Sequence, residues 1–138
     1  MGNLHVDTPL LNRVYYNQRK EMLMTRTFIQ TDEFLKKWEE LGLTDDDLRR
    51  LEYAIMKDPK VGPVIPGTGK LRKMRFAYKN KGKSGSTRVC YVDFLVYDTI
   101  YLITAYAKNE KENLTKAECN EIKKLISILE RGLKEEFS

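Results

Sequence analysis

Residues 67–109 read GTGKLRKMRFAYKNKGKSGSTRVCYVDFLVYDTIYLITAYAKN, and this stretch decides the fold. It opens on a Gly-rich turn, enters a basic strand, passes a lysine-studded hairpin loop and continues as two longer strands. From Leu71 to Tyr78 the residues alternate with period two. That sets Lys73 and Arg75 on one face and Arg72, Met74, Phe76 and Tyr78 on the other. Lys79 to Ser86 has the Gly, Asn and Ser of a hairpin connection. Thr87 to Val96 and Ile100 to Lys108 read as strands, with a turn at Tyr97-Asp98-Thr99. Arg88 opens the first of these, and Tyr106 and Lys108 close the second. In an antiparallel pair those ends are neighbours, so Arg88, Tyr106 and Lys108 are expected to converge beside Lys73 and Arg75.

The charge pattern singles out the same region. Between Asp58 and Asp93 there is no acidic residue, while Lys60, Lys70, Arg72, Lys73, Arg75, Lys79, Lys81, Lys83 and Arg88 supply nine positive charges. The whole chain nets only +5, which leaves everything outside that window at −4. Positive charge concentrated in this way calls for a polyanionic partner.

Upstream, residues 1–23 carry no convincing strand or helix period, although Leu11, Val14, Tyr15, Gln18 and Met22 weakly line one helical face. This segment is expected to be an N-terminal extension, disordered or an extra helix, ahead of a domain spanning 24–138. Thr25 to Gln30 is a short strand. Thr31 opens a helix on which Phe34, Leu35, Trp38 and Leu41 recur until Gly42 stops it. Thr44 caps a second helix, Asp45, Asp46 and Asp47 suit its positive end, and Leu43 with Leu48 have the spacing of a hydrophobic staple. Pro59 ends it. Val61 to Gly69 is a turn-rich connection. Thr115 and Glu118 form a capping box for a last helix with an apolar face of Ile122, Leu125, Ile126, Leu129 and Leu133. The order is β-α-α-β-β-β-α, an α+β domain whose small, mainly antiparallel sheet is expected to carry its helices on one side.

Composition narrows the function classes. A chain of 138 residues, 41% hydrophobic and 33% charged, fits one globular domain. Cys90 and Cys119 lack CxxC spacing, so neither a metal site nor a disulfide framework is expected, and a reducing, cytoplasmic setting is the default. The apolar runs are too short to span a bilayer, and the N-terminus lacks the pattern of a signal peptide. Gly69-Lys70 runs into Leu71 and a strand rather than Ser or Thr and a helix, which rules out a P-loop. No cofactor is expected.

If the cationic face binds RNA, strand cleavage by the adjacent 2′-hydroxyl needs three things. They are an acceptor for that proton, positive charge on the phosphate, and a proton for the leaving 5′-oxygen. Arg75 and Arg88 suit the phosphate because a planar fork holds two oxygens at once. Lys73 or Lys108, crowded by other cations, are candidates for proton transfer, and Tyr106 for base stacking or the proton chain. Lys70, Arg72, Lys79, Lys81, Lys83 and Asn109 are the further RNA contacts. The single histidine, His5, reads as non-catalytic, and Glu110 is the carboxylate next to the expected site. Duller explanations exist for each: hairpin lysines are commonly solvated, and a strand Tyr is commonly half-buried core. Composition alone ranks plain nucleic-acid binding above catalysis.

Four blocks shift that ranking. Gly67 to Arg75, Lys81 to Gly85, Ser86 to Tyr91 and Tyr106 to Glu110 together resemble the RelE/HigB superfamily of bacterial toxins, with HigB-type members most similar. The resemblance runs from about Thr25 to Leu133. It implies a compact microbial-RNase-like fold and the toxin of a type II toxin-antitoxin pair that cleaves mRNA in the ribosomal A site. Its implied partners are the ribosome with its mRNA and a cognate antitoxin, commonly a HigA-like helix-turn-helix protein through which alone it meets operator DNA. The family pattern places catalytic cations where Lys73, Arg75 and Arg88 stand. It also has an Arg after the last strand and a Tyr near the final helix, where this chain has Asn109 and Thr115; Tyr106 and Lys108 are the local replacements. A ParE-like gyrase inhibitor on the same fold and a non-catalytic RNA-binding module are the alternatives.

Overall fold

The computed structural model of the chain describes residues 13–19, 22–80 and 83–138. Five strands and three helices follow in the order β1 (Arg13–Arg19), β2 (Met22–Gln30), α1 (Asp32–Glu40), α2 (Asp45–Lys57), β3 (Arg72–Asn80), β4 (Lys83–Phe94), β5 (Thr99–Ala107) and α3 (Lys116–Glu136). A single sheet runs β1-β2-β5-β4-β3. Three of its pairings are antiparallel, and β2 with β5 is parallel because α1, α2 and the β3–β4 hairpin lie between them in the chain.

The helix starts obey the local rules. Thr44 Oγ1 accepts the amide of Asp47 at 3.1 Å while Asp47 Oδ2 accepts the amide of Thr44 at 2.8 Å, a reciprocal capping box. Leu43 and Leu48 are both buried, as a staple requires. Gly42 closes α1 with φ of 75°, a conformation that a side chain disfavours. Thr115 and Glu118 repeat the box at α3, with bonds of 3.1 and 2.8 Å.

Two expectations need correction. The described part of the N-terminal segment, Arg13–Arg19, is a strand pairing antiparallel with β2 rather than a helix; residues 1–12 lie outside the described residues. Its run Val14-Tyr15-Tyr16 is rich in strand formers, and without it β2 would present an unpaired edge. Nor do the helices share one side. Residues of α1 and α2 such as Phe34, Trp38, Leu51 and Ile55 pack with Met74, Phe76, Val89 and Tyr91. Ile126, Leu129 and Leu133 of α3 pack with Leu71, Cys90, Val92 and Ile103 on the opposite face. Val89-Cys90-Tyr91-Val92 and Ile100 to Ile103 do not alternate because neither side of β4 or β5 is wet there.

Two details set the geometry of the site. The β4–β5 register slips between Cys90 and Tyr91: Cys90 pairs with Thr104 but Tyr91 with Leu102, leaving Ile103 as the extra residue. Beyond this bulge the facing of β5 inverts, so that Tyr106 joins Ile103 in the α3-side cluster. The connection before β3 is also pinned. The Lys73 amide donates to Pro63 O at 3.1 Å, and that of Ile65 to Leu71 O at 2.8 Å. Gly62 lies so close to β3 that a Cβ there would sit 2.7 Å from the Lys73 carbonyl oxygen.

Candidate nucleic-acid interface

Strand pairing brings Arg75, Arg88 and Tyr106 into one row. Arg75 is the register partner of Arg88 across β3–β4, and Arg88 that of Tyr106 across β4–β5. Register partners share a face, and here it is the α3 side. Lys73 occupies the next row on the same face, opposite Cys90, and its Nζ donates to Asn113 Oδ1 at 2.9 Å. Two cavities border this face. One of about 660 Å³ lies between α1, the end of β5 and α3, with Tyr106 and Lys111 in its wall. The other, of about 540 Å³, is lined by Pro66, Lys73, Asn113 and Lys116.

The centre of the row is electrostatically unusual. Arg88 is 7% exposed, and its Nη1 is buried with no hydrogen-bond partner among the described residues. The hydroxyl of Tyr106 is likewise buried and unpartnered. A guanidinium is a fixed positive charge in proteins. Arg26 shows how the same fold treats a buried arginine in a structural role. At 3% exposure, its Nε donates to Asp93 Oδ1 at 2.9 Å and its Nη1 to the Thr25 carbonyl at 2.8 Å. Among the described residues Arg88 has no such anion, and a guanidinium held in that state is a ready receptor for phosphate.

Burial pushes the Tyr106 phenol up to about 12, an effect that the nearby Arg88 opposes. It therefore keeps its proton at neutral pH and is available as a hydrogen-bond donor. Burial also pushes the Cys90 thiol up to about 12, which makes it an inert core residue. Glu118 is held below the ordinary carboxylate range, first by the hydrogen bond from Lys111 and then by the Thr115 amide.

Other expected contacts are placed elsewhere. Lys70 is ion-paired with Glu130 of α3, its Nζ 5.8 Å from the centroid of the Phe94 ring. Arg72 lies on the face opposite Lys73 and donates to the Gly62 carbonyl at 2.8 Å, which gives it a role in holding the connection. Lys108 and Asn109 are exposed in the turn that follows β5, and Lys79 is exposed near the hairpin end. Lys81 lies outside the described residues; Lys83 pairs with Asn80 through the backbone. Glu118 lines the cavity beside Tyr106 together with Glu33 and Glu121, whereas Glu110 is exposed in the turn. Lys111, Asn113 and Glu118 were missed. Nothing in the spacing marks the first two, and Glu118 was already accounted for by its cap.

A basic α+β domain whose sheet carries a buried arginine without a partner for its Nη1 among the described residues has a feature suited to binding an anion. The model of the RelE toxin of the RelE / RelB toxin-antitoxin system matches residues 25–138, and the chain belongs to this family. It is thus the toxin of a toxin-antitoxin system, in a family of endoribonucleases, and membership implies a cognate antitoxin. Among the described residues no helix is long and apolar enough to cross a membrane.

Proposed function

We propose that this toxin is a ribosome-dependent mRNA endonuclease that cleaves by attack of the 2′-hydroxyl on the adjacent phosphodiester. The observation that supports this best is Arg88, buried and ionised with a free N–H, flanked in register by Arg75 and by the unpartnered Tyr106 hydroxyl. In this reading Arg88 and Arg75 hold the phosphate oxygens as the phosphorus becomes pentacoordinate. Tyr106, protonated at neutral pH, donates to a phosphate oxygen or to the leaving 5′-oxygen. Lys73, in the adjoining row, and Lys108, exposed in the turn after β5, are the proton-transfer candidates. The ribosome supplies what the chain lacks, since a site with no histidine and few carboxylates among its described residues depends on rRNA to align the substrate. Neutralisation by a HigA-like antitoxin belongs to the same proposal.

Toeprinting on a short mRNA in a purified translation system tests it, comparing the wild type with Arg88→Ala. Cleavage at A-site codons that requires ribosomes and disappears in the variant is the expected result. Intact mRNA with folded wild-type protein would overturn the proposal, and a supercoiling assay would then address gyrase inhibition.

A further inference from the structure

Lys111 carries none of the sequence signals that marked the other cations, yet its Nζ lies 5.3 Å from the centroid of the Tyr106 ring. Tyr106 is the register neighbour of Arg88, so Lys111 adds a positive group beside one of the two buried donors that lack acceptors among the described residues. The Lys111 Nζ donates at 2.6 Å to Glu118 Oε2. Glu118 also accepts the Thr115 amide, but through its other oxygen, Oε1, at 2.8 Å. The two jobs of this carboxylate are therefore separable: departure of Lys111 leaves the capping box at the start of α3 in place.

The exchange is also easy. The Lys111 and Glu118 side chains are 29% and 38% exposed, and an ion pair this accessible contributes little to stability. A phosphodiester brings charged oxygens to Arg88 and Tyr106 and offers Lys111 an alternative partner, which an ammonium on a flexible four-carbon stem reaches readily. We propose that Lys111 is an additional phosphate-binding residue of the site and that Glu118 holds it until RNA displaces the carboxylate. This rests on the RNA reading above. The simpler role, in which Lys111 only steadies the cap of α3, makes a different prediction.

The probe is a short single-stranded RNA bearing 2′-O-methyl groups, which cannot be cut by 2′-hydroxyl attack, titrated by fluorescence anisotropy across a salt series. Lys111→Met is expected to weaken binding roughly five-fold at low salt and to flatten the slope of log K against log[salt] by about 0.7, as loss of one phosphate contact requires. Lys111→Arg restores the slope. Glu118→Gln keeps the capping box, because glutamine serves that position too, and tightens binding roughly three-fold by freeing Lys111. A purely structural lysine would leave the slope unchanged, and Glu118→Gln would then leave binding unchanged or weaken it. Those results overturn the proposal while the wild type still binds. If the wild type itself shows no salt-dependent RNA binding, this proposal falls, whereas the ribosome-dependent reading stands or falls by the toeprinting result alone. Because Glu118→Gln preserves the helix start, the test stands even if Lys111→Met folds poorly.

Discussion

Replacing Arg88 by methionine should make this protein more stable and inactive. Methionine keeps an unbranched apolar stem where the arginine stem packs and removes the buried guanidinium. Arg88 is 7% exposed and its Nη1 has no partner among the described residues, so the fold carries an unrelieved desolvation cost there. A buried polar group left unsatisfied costs about 1–3 kcal/mol, and a charged one more. Arg88→Met should therefore gain about 1–3 kcal/mol. In a domain of this size that raises Tm by roughly 3–9 °C. Urea unfolding followed by circular dichroism should show a higher midpoint at unchanged m-value. In the translation system, loss of one donor to the developing phosphate charge should lower cleavage by about 10²- to 10³-fold. A variant less stable than wild type by about 1 kcal/mol or more would refute the reasoning, since it would mean that the native fold satisfies this guanidinium.

Arg26 provides the contrast: Asp93→Asn weakens the partner of a fully enclosed guanidinium and should cost about 3–5 kcal/mol in urea unfolding. Gly62→Ala places a Cβ 2.7 Å from the Lys73 carbonyl oxygen, and backbone cannot yield as a side-chain tip does; about 1–3 kcal/mol should be lost, with Lys73 displaced. Because the folded pKa of Tyr106 lies above that of a free phenol, its contribution to stability is present below about pH 10 and lost as pH rises through about 12. Near-ultraviolet titration of Tyr106→Phe should lack one late-ionising phenol, and the variant's stability should fall less steeply over that range.

Much of the architecture was legible because short-range rules decide it. Thr31, Thr44 and Thr115 cap their helices as their hydroxyls and following residues require, and Gly42 and Pro59 stop helices for backbone reasons that act locally. The strands were legible in position but not in length: Lys79 to Ser86 was expected to be loop, whereas Ala77 pairs with Ser86 and Tyr78 with Gly85. Cross-strand hydrogen bonds extend a hairpin beyond what residue preference suggests. The strand at Arg13–Arg19 is another such case, because its partner edge on β2 is not visible in a window of sequence.

The sequence by itself determined the concentration of positive charge, the candidacy of Arg75, Arg88 and Tyr106, and that the strands carrying them adjoin. Only the tertiary structure decided which groups face one another. A strict alternation from Tyr101 and Ile103 would turn Tyr106 away from α3; the extra residue at Ile103 turns it toward Arg88, and a bulge is set by the packing of two strands rather than by either one. The separation of Arg72 and Lys70 from the row, and the arrival of Lys111 and Glu118 beside it, depend on where α3 lies against the sheet. Charge along a chain is a local property, whereas burial and the pairing of charges are properties of surfaces brought together, and for that reason the unpartnered state of Arg88 is visible only in the folded molecule.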